Sequence, residues 1–213
     1  TSFPLIDISS ATHLGDTWAS CSSLTSFPLI DTSLVTSTSG AWSTCTSLTS
    51  FPLLNTSNVT NFYRDWYNCT SLTSFPLIDT SSATSLVETW YGCTGITSFP
   101  AINTSNVNNF KLAWGSCRAI VSFPFIDTSS ATTMEKAWWN CQLLTTFPAN
   151  MFDNCQTTNY TETFVSCPLD ETSVNNILVS IALAASTYTL TGGTLGMSGA
   201  TPTGAGLTAK NDL

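Results

Sequence analysis

The stretch from Thr49 to Leu72, TSFPLLNTSNVTNFYRDWYNCTSL, decides how the chain is read. Shifted back by 24 residues it meets TSFPLIDTSLVTSTSGAWSTCTSL from Thr25, and shifted forward it meets TSFPLIDTSSATSLVETWYGCTGI from Thr73. Copies begin at Thr1, Thr25, Thr49, Thr73, Thr97 and Val121, and a distorted seventh begins at Thr145. A fixed period of this length is the signature of a stacked repeat, in which each unit touches mainly its neighbours. One copy buries about five large side chains, worth roughly 1.5–3 kcal/mol each. Fixing its backbone costs about 1–2 kcal/mol per residue. A single copy therefore cannot fold alone, and stacking must complete the core.

Within the copy, Val59, Phe62, Trp66 and Cys69 are spaced 3, 4, 3, which predicts one face of a short helix. Ala83, Leu86, Trp90, Cys93 and Val107, Phe110, Trp114, Cys117 repeat that face. Ser57 or Asn58 is placed to cap it. Leu72, Phe75 and Ile78 then point inward from an extended segment, which Pro76 limits to about three or four paired residues. The expected architecture is an α/β solenoid of 24-residue strand–helix repeats. Phe51, Phe75 and Phe99, Trp66, Trp90 and Trp114, and Cys69, Cys93 and Cys117 form its expected core.

The template resembles the leucine-rich repeats of the bacterial surface-antigen, or BspA-like, type. Cys69 to Phe75 (Cys-x-x-Leu-Thr-Ser-Phe), Asn55 to Thr60 and an aromatic three residues before the Cys carry the resemblance. It covers residues 1–169; the departure is Trp where that family usually has Phe. The tail from Ser173 to Leu213 resembles segments that follow such repeats in phage and environmental-virus proteins. The resemblance implies a rod or horseshoe on a cell or virion surface, extracellular, used for adhesion and not for catalysis.

Residues 1–144 read as six regular repeats, 145–185 as an irregular seventh repeat with a capping helix, and 186–213 as a Gly/Thr-rich appendage. Tyr160, Phe164 and Cys167 return to helical spacing, and Asp170 to Ser173 could cap a longer helix through Val174, Ile177, Leu178 and Ile181. Tyr188 to Thr191 alternates like a strand, Gly192-Gly193 turns it, and Leu195-Gly-Met197 is expected to pair back. Leu207 to Leu213 looks like the start of a helix. The chain begins in phase with the repeat and without Met, as expected of a fragment or a processed product.

Charged residues are 8% of the chain and the net charge is −8, so nucleic acid is not an expected partner. The most apolar run, Ile177 to Ala185, is too short to span a bilayer, which needs about 20 residues. The single histidine, His13, sits at a variable position, and no catalytic constellation recurs. No cofactor is expected. The cysteine column (21, 45, 69, 93, 117, 141) holds side chains that point the same way, so free buried thiols are expected there. A Cys155–Cys167 disulfide stays open. The column Asp7, Asp31, Asn55, Asp79, Asn103, Asp127 reads as turn-forming, with calcium as the alternative. Tyr67, Tyr91 and Trp139 follow the repeated Trp and would line one edge of the array. Aromatic faces beside Ser, Thr and Asn suit sugar rings, although such rings also serve merely to cover a seam. The expected partner is a carbohydrate or protein receptor on a surface. The rival expectations are a self-assembling filament subunit and an ice- or mineral-binding array using Thr1, Thr25, Thr49, Thr73 and Thr97.

Overall fold

The computed structural model describes residues 6–191 and 193–212. Expectations that fall on Thr1, Phe3, Pro4, Gly192 and Leu213 lie outside the described residues. The regular elements are β1 (Asn159–Leu169), α1 (Glu171–Tyr188), β2 (Thr194–Gly199) and α2 (Gly204–Asp212). From residue 6 to 158 the described chain holds turns and isolated bridges, with neither helix nor strand. This overturns the α/β leucine-rich-repeat solenoid of strand–helix units expected from the sequence.

The reason lies in where the backbone hydrogen bonds go. A helix needs each N–H to reach the carbonyl four residues back. Here Ala41, Ser43 and Cys45 donate three residues back, to Thr38, Gly40 and Trp42 at 2.7, 3.0 and 3.2 Å. The alternate residues Gly40, Trp42 and Thr44 donate out of the copy, to Tyr63, Asp65 and Tyr67 at 2.7, 3.0 and 2.6 Å. Left-handed residues recur between them, as at Arg64 (φ 57), Asn68 (φ 56), Glu88 (φ 55) and Leu112 (φ 55). A left-handed residue every few positions forbids a helix, and a chain of tight turns takes its place. The 3, 4, 3 spacing arises because consecutive turns return the chain to the interior at nearly the helical interval.

Each 24-residue copy is thus a coil bonded to the next. Parallel bridges join residues one period apart, from His13↔Ser37 through Asn61↔Ser85 to Asn109↔Thr133. Among the described residues, the wall that carries proline is bridged only at Ser26↔Ser50 and Ser122↔Thr146. Pro52, Pro76 and Pro100 accept from Leu54, Ile78 and Ile102 in three-residue turns, which ends the ladder there.

The core lies between two walls of the coil. One supplies a Trp column, Trp18 to Trp138, with neighbouring rings 5.4–5.8 Å apart and nearly parallel. The other supplies a Phe column, Phe27 to Phe147, stacked at 5.7–6.1 Å. The columns meet edge to face, as Trp66 does with Phe75 at 4.7 Å, an arrangement favoured by the ring quadrupoles. Phe164 continues the Trp column, 5.3 Å from Trp138. Phe51, Phe75, Phe99, Trp66, Trp90 and Trp114 are all buried.

The array ends differently from its middle. The Tyr160–Cys167 spacing expected to be helical lies in β1, whose carbonyls at Asn159, Thr161, Thr163 and Val165 accept from the sixth copy. On its other side β1 pairs in parallel with β2, Tyr160 opposite Leu195 and Phe164 opposite Met197. Gly196 permits that approach, since a Cβ there would lie 2.5 Å from Glu162 backbone atoms. Residues expected as a strand at 188–191 belong instead to the end of α1 and the turn after it. Asp170 caps α1 by accepting from Ser173 N at 2.7 Å. Val174, Ile177, Leu178 and Ile181 bury one helical face. Ser173 and Ser180 hydroxyls accept from the N–H groups of Phe147 and Phe152, both at 2.8 Å. They satisfy backbone donors at the end of the array.

Candidate functional site

Because Trp66 and Trp90 point inward, the next residue in each coil turns outward. Tyr67 and Tyr91 are half-buried and stack at 5.2 Å with an interplanar angle of 14°. The Arg64 guanidinium lies 4.9 Å from the Tyr67 ring centre and 5.2 Å from that of Tyr63. Glu88, one coil on, accepts from Arg64 Nε at 2.7 Å. That bond fixes the guanidinium over the rings and holds the Arg64 pKa above its ordinary value. The result is a patch of three phenols and one pinned cation, with the Ser39 hydroxyl beside it on the Tyr63 carbonyl. Trp139 does not join it. Gly115 occupies the intervening coil, and a Cβ there would come 2.9 Å from the Tyr91 ring, so Tyr91 leans over that position. Tyr63, Arg64 and Glu88 escaped the sequence reading. Their signal was present: Arg64 and Glu88 stand one period apart with opposite charge. Lys111–Glu135 at 2.9 Å and Lys136–Glu162 at 3.4 Å extend the same pairing along the array.

The Asp/Asn column makes turns. Asp31, Asn55, Asp79, Asn103 and Asp127 each accept from the backbone N–H two residues on, at 2.8–3.2 Å. Bonds from Ser33 and Ser81 hold the Asp31 and Asp79 carboxyls below the usual range. Among the described residues, no group of three or more His, Cys, Asp or Glu is gathered as a metal would need.

All eight cysteines are free, Cys155 and Cys167 included; Cys21 is exposed and the others are buried. In the buried column each thiol faces the Trp carbonyl of the preceding coil, as Cys69 does Trp42 O at 3.2 Å and Cys93 does Trp66 O at 3.0 Å. Cys117 does the same with Trp90 O at 3.1 Å. Burial pushes the Cys45 thiol up to about 11 and Cys117 to about 12. These groups are structural and not nucleophilic.

Asp65 is the one fully buried carboxyl among the described residues. Its Oδ2 is bonded by the Thr38 hydroxyl of the preceding coil, and its Oδ1 has no partner. Desolvation raises its pKa to about 8, against the opposing effect of the Thr38 bond. Near the cap, a cavity of about 620 Å³ is lined by Tyr160, Val174, Leu178, Ile181, Leu195 and Met197.

No protein-family model, curated protein or solved structure matches the chain.

Proposed function

We propose that the chain is a non-enzymatic recognition module, extracellular on a microbial or virion surface, that binds the glycans of a receptor through the Tyr63–Arg64–Tyr67–Tyr91 patch. The observation that carries this reading is the stacked Tyr67–Tyr91 pair beneath an arginine already fixed by Glu88. A sugar ring needs an apolar platform for its C–H face and donors or acceptors for its hydroxyls. The phenol rings supply the first. Arg64, the phenol hydroxyls and the Ser39 hydroxyl supply the second. Pre-ordering matters because each side chain immobilised on binding would cost about 0.5–1.5 kcal/mol. The resemblance of the repeats to surface-antigen proteins supports the same setting. The test is a glycan array followed by titration calorimetry on the best binder. Tyr91→Ala and Tyr67→Ala should each weaken binding at least tenfold while near-ultraviolet circular dichroism keeps the signal of the buried indoles. Wild-type binding that both variants retain would reject the patch as the site.

A further inference from the structure

A column of exposed apolar side chains runs along the proline-bearing wall. Leu29, Leu53, Leu77 and Phe125 are 66, 60, 61 and 54% exposed, with the smaller Ala101 in the same column. Each is followed by a buried Ile or Leu, as Leu77 is by Ile78, so the exposure is set by the alternation of the wall and recurs in the five coils that begin at Thr25, Thr49, Thr73, Thr97 and Val121. Isolated exposed leucines are ordinary; a contiguous stripe marks a contact surface. This wall faces away from the Tyr67–Tyr91 patch, because Phe75 and Trp66 reach the core from opposite sides and meet there.

The polar groups beside the stripe are also ordered. On one flank stand Ser50, Ser74 and Ser98, all exposed. On the other stand Asp31, Asn55 and Asp79, also exposed. The Oδ1 atoms of Asp31 and Asp79 are engaged by their own turns at 2.9 Å, and a carboxylate has a second oxygen to offer. We infer that this wall is the interface of a parallel two-fold homodimer, with the Leu stripe of one copy against that of the other. A two-fold axis parallel to the stripe sets the Asp/Asn column of each copy over the Ser column of its partner, so hydroxyl donors meet carboxylates. An axis across the stripe would set Asp over Asp. The size is adequate. The five coils that carry the stripe, at about 4.8 Å and roughly 20 Å of wall each, give on the order of 500 Å² per copy. A pair then buries about 1,000 Å², the size a specific contact between copies must reach.

Sedimentation equilibrium of the whole chain over a concentration series tests this. The wild type should have twice the mass of the chain, and Leu53→Glu/Leu77→Glu should be monomeric. Both substituted positions are more than half exposed, so the double variant should melt where the dissociated wild type melts at low concentration. A wild type that stays monomeric throughout, or a dimer that the double variant retains, overturns the inference. A monomeric wild type that floats with phosphatidylcholine vesicles, when the double variant does not, also overturns it and gives the stripe to a lipid surface. The orientation has its own readout. With a lysine introduced by Ser50→Lys, carbodiimide should link that position to Asp31 or Asp79 of another copy, as mass spectrometry of mixed labelled and unlabelled chains would register. Links found only within one chain overturn the parallel pairing.

Discussion

Asp65 stands in a column that otherwise carries Thr17, Ala41, Thr89, Ala113 and Ala137, and its partner Thr38 stands where other coils carry Leu14, Phe62, Leu86, Phe110 and Met134. The two exceptions compensate each other: the small Thr38 leaves room for the carboxyl, and its hydroxyl bonds it. The folded carboxyl binds a proton up to about pH 8, whereas the unfolded one releases it near its ordinary value of 3.8. Between those pH values the native state holds the extra proton, so stability falls as pH rises, by at most about 1.4 kcal/mol per unit. Below that window the contribution is fully present; above it the slope vanishes. Denaturant melts at pH 5, 7 and 9 should follow that course in the wild type and be flatter in Asp65→Asn. Thr38→Leu alone strands the carboxyl and should destabilise the chain. Thr38→Leu/Asp65→Ala restores the residues usual in both columns and should be at least as stable as the wild type at pH 9. Trp90 tests the core more directly. It is fully buried between Trp66 and Trp114, and Trp90→Ala should cost about 3–5 kcal/mol by urea titration. Tyr91→Ala, at a half-buried ring, should cost about 1 kcal/mol.

The turn-built wall shows what a sequence can conceal at the scale of elements. Val59, Phe62, Trp66 and Cys69 are all fully buried, so the inward positions were legible from the period alone. The element that carries them was not. Of the left-handed residues that break a helix, Arg64, Glu88, Leu112 and Lys136 are types that no turn rule singles out, while Asp16 and Gly40 in the same column are ones it does. Among their companions before each Cys, Asn68, Gly92 and Asn140 did carry a signal, since Asn and Gly tolerate that conformation best, whereas Ser20, Thr44 and Ser116 did not. On the outer surface, Tyr67 and Tyr91 were visible as a pair of aromatics one period apart, while Gly115, which separates Trp139 from them, required the Tyr91 ring position. The thiol column gives this element its chemical test. Native protein should show one thiol reactive toward Ellman's reagent, Cys21, and unfolding without reductant should release the other seven. A disulfide recovered from any of the seven would contradict the free column. At the cap, Ser180→Ala deprives the buried Phe152 N–H of its acceptor and should cost about 1–3 kcal/mol, read as a lower midpoint in the same urea titration.

Across the whole molecule, one pattern of contacts is repeated with little variation. The bonds Thr36 N to Thr12 O, Thr60 N to Thr36 O and Thr84 N to Thr60 O are 2.8, 3.1 and 3.1 Å and lie one period apart. Nearest-neighbour coupling of this kind makes stability a sum over coils and their interfaces. The closed end, with α1 and its two serines, is the exception; removing residues 170–213 should expose Phe147, Phe152 and Tyr160 and lower solubility, as turbidity at increasing concentration would register. The repeated bonds also have a mechanical meaning. A molecule pulled at its two ends loads its coil interfaces in series, so coils peel away singly. Each release frees 24 residues, about 80 Å of extended backbone, for the loss of one coil about 5 Å thick. Stretched between a tip and a support, the chain should give a sawtooth of evenly spaced force peaks. A stack built this way yields to a sudden tug by lengthening one coil at a time, and the remaining coils stay folded.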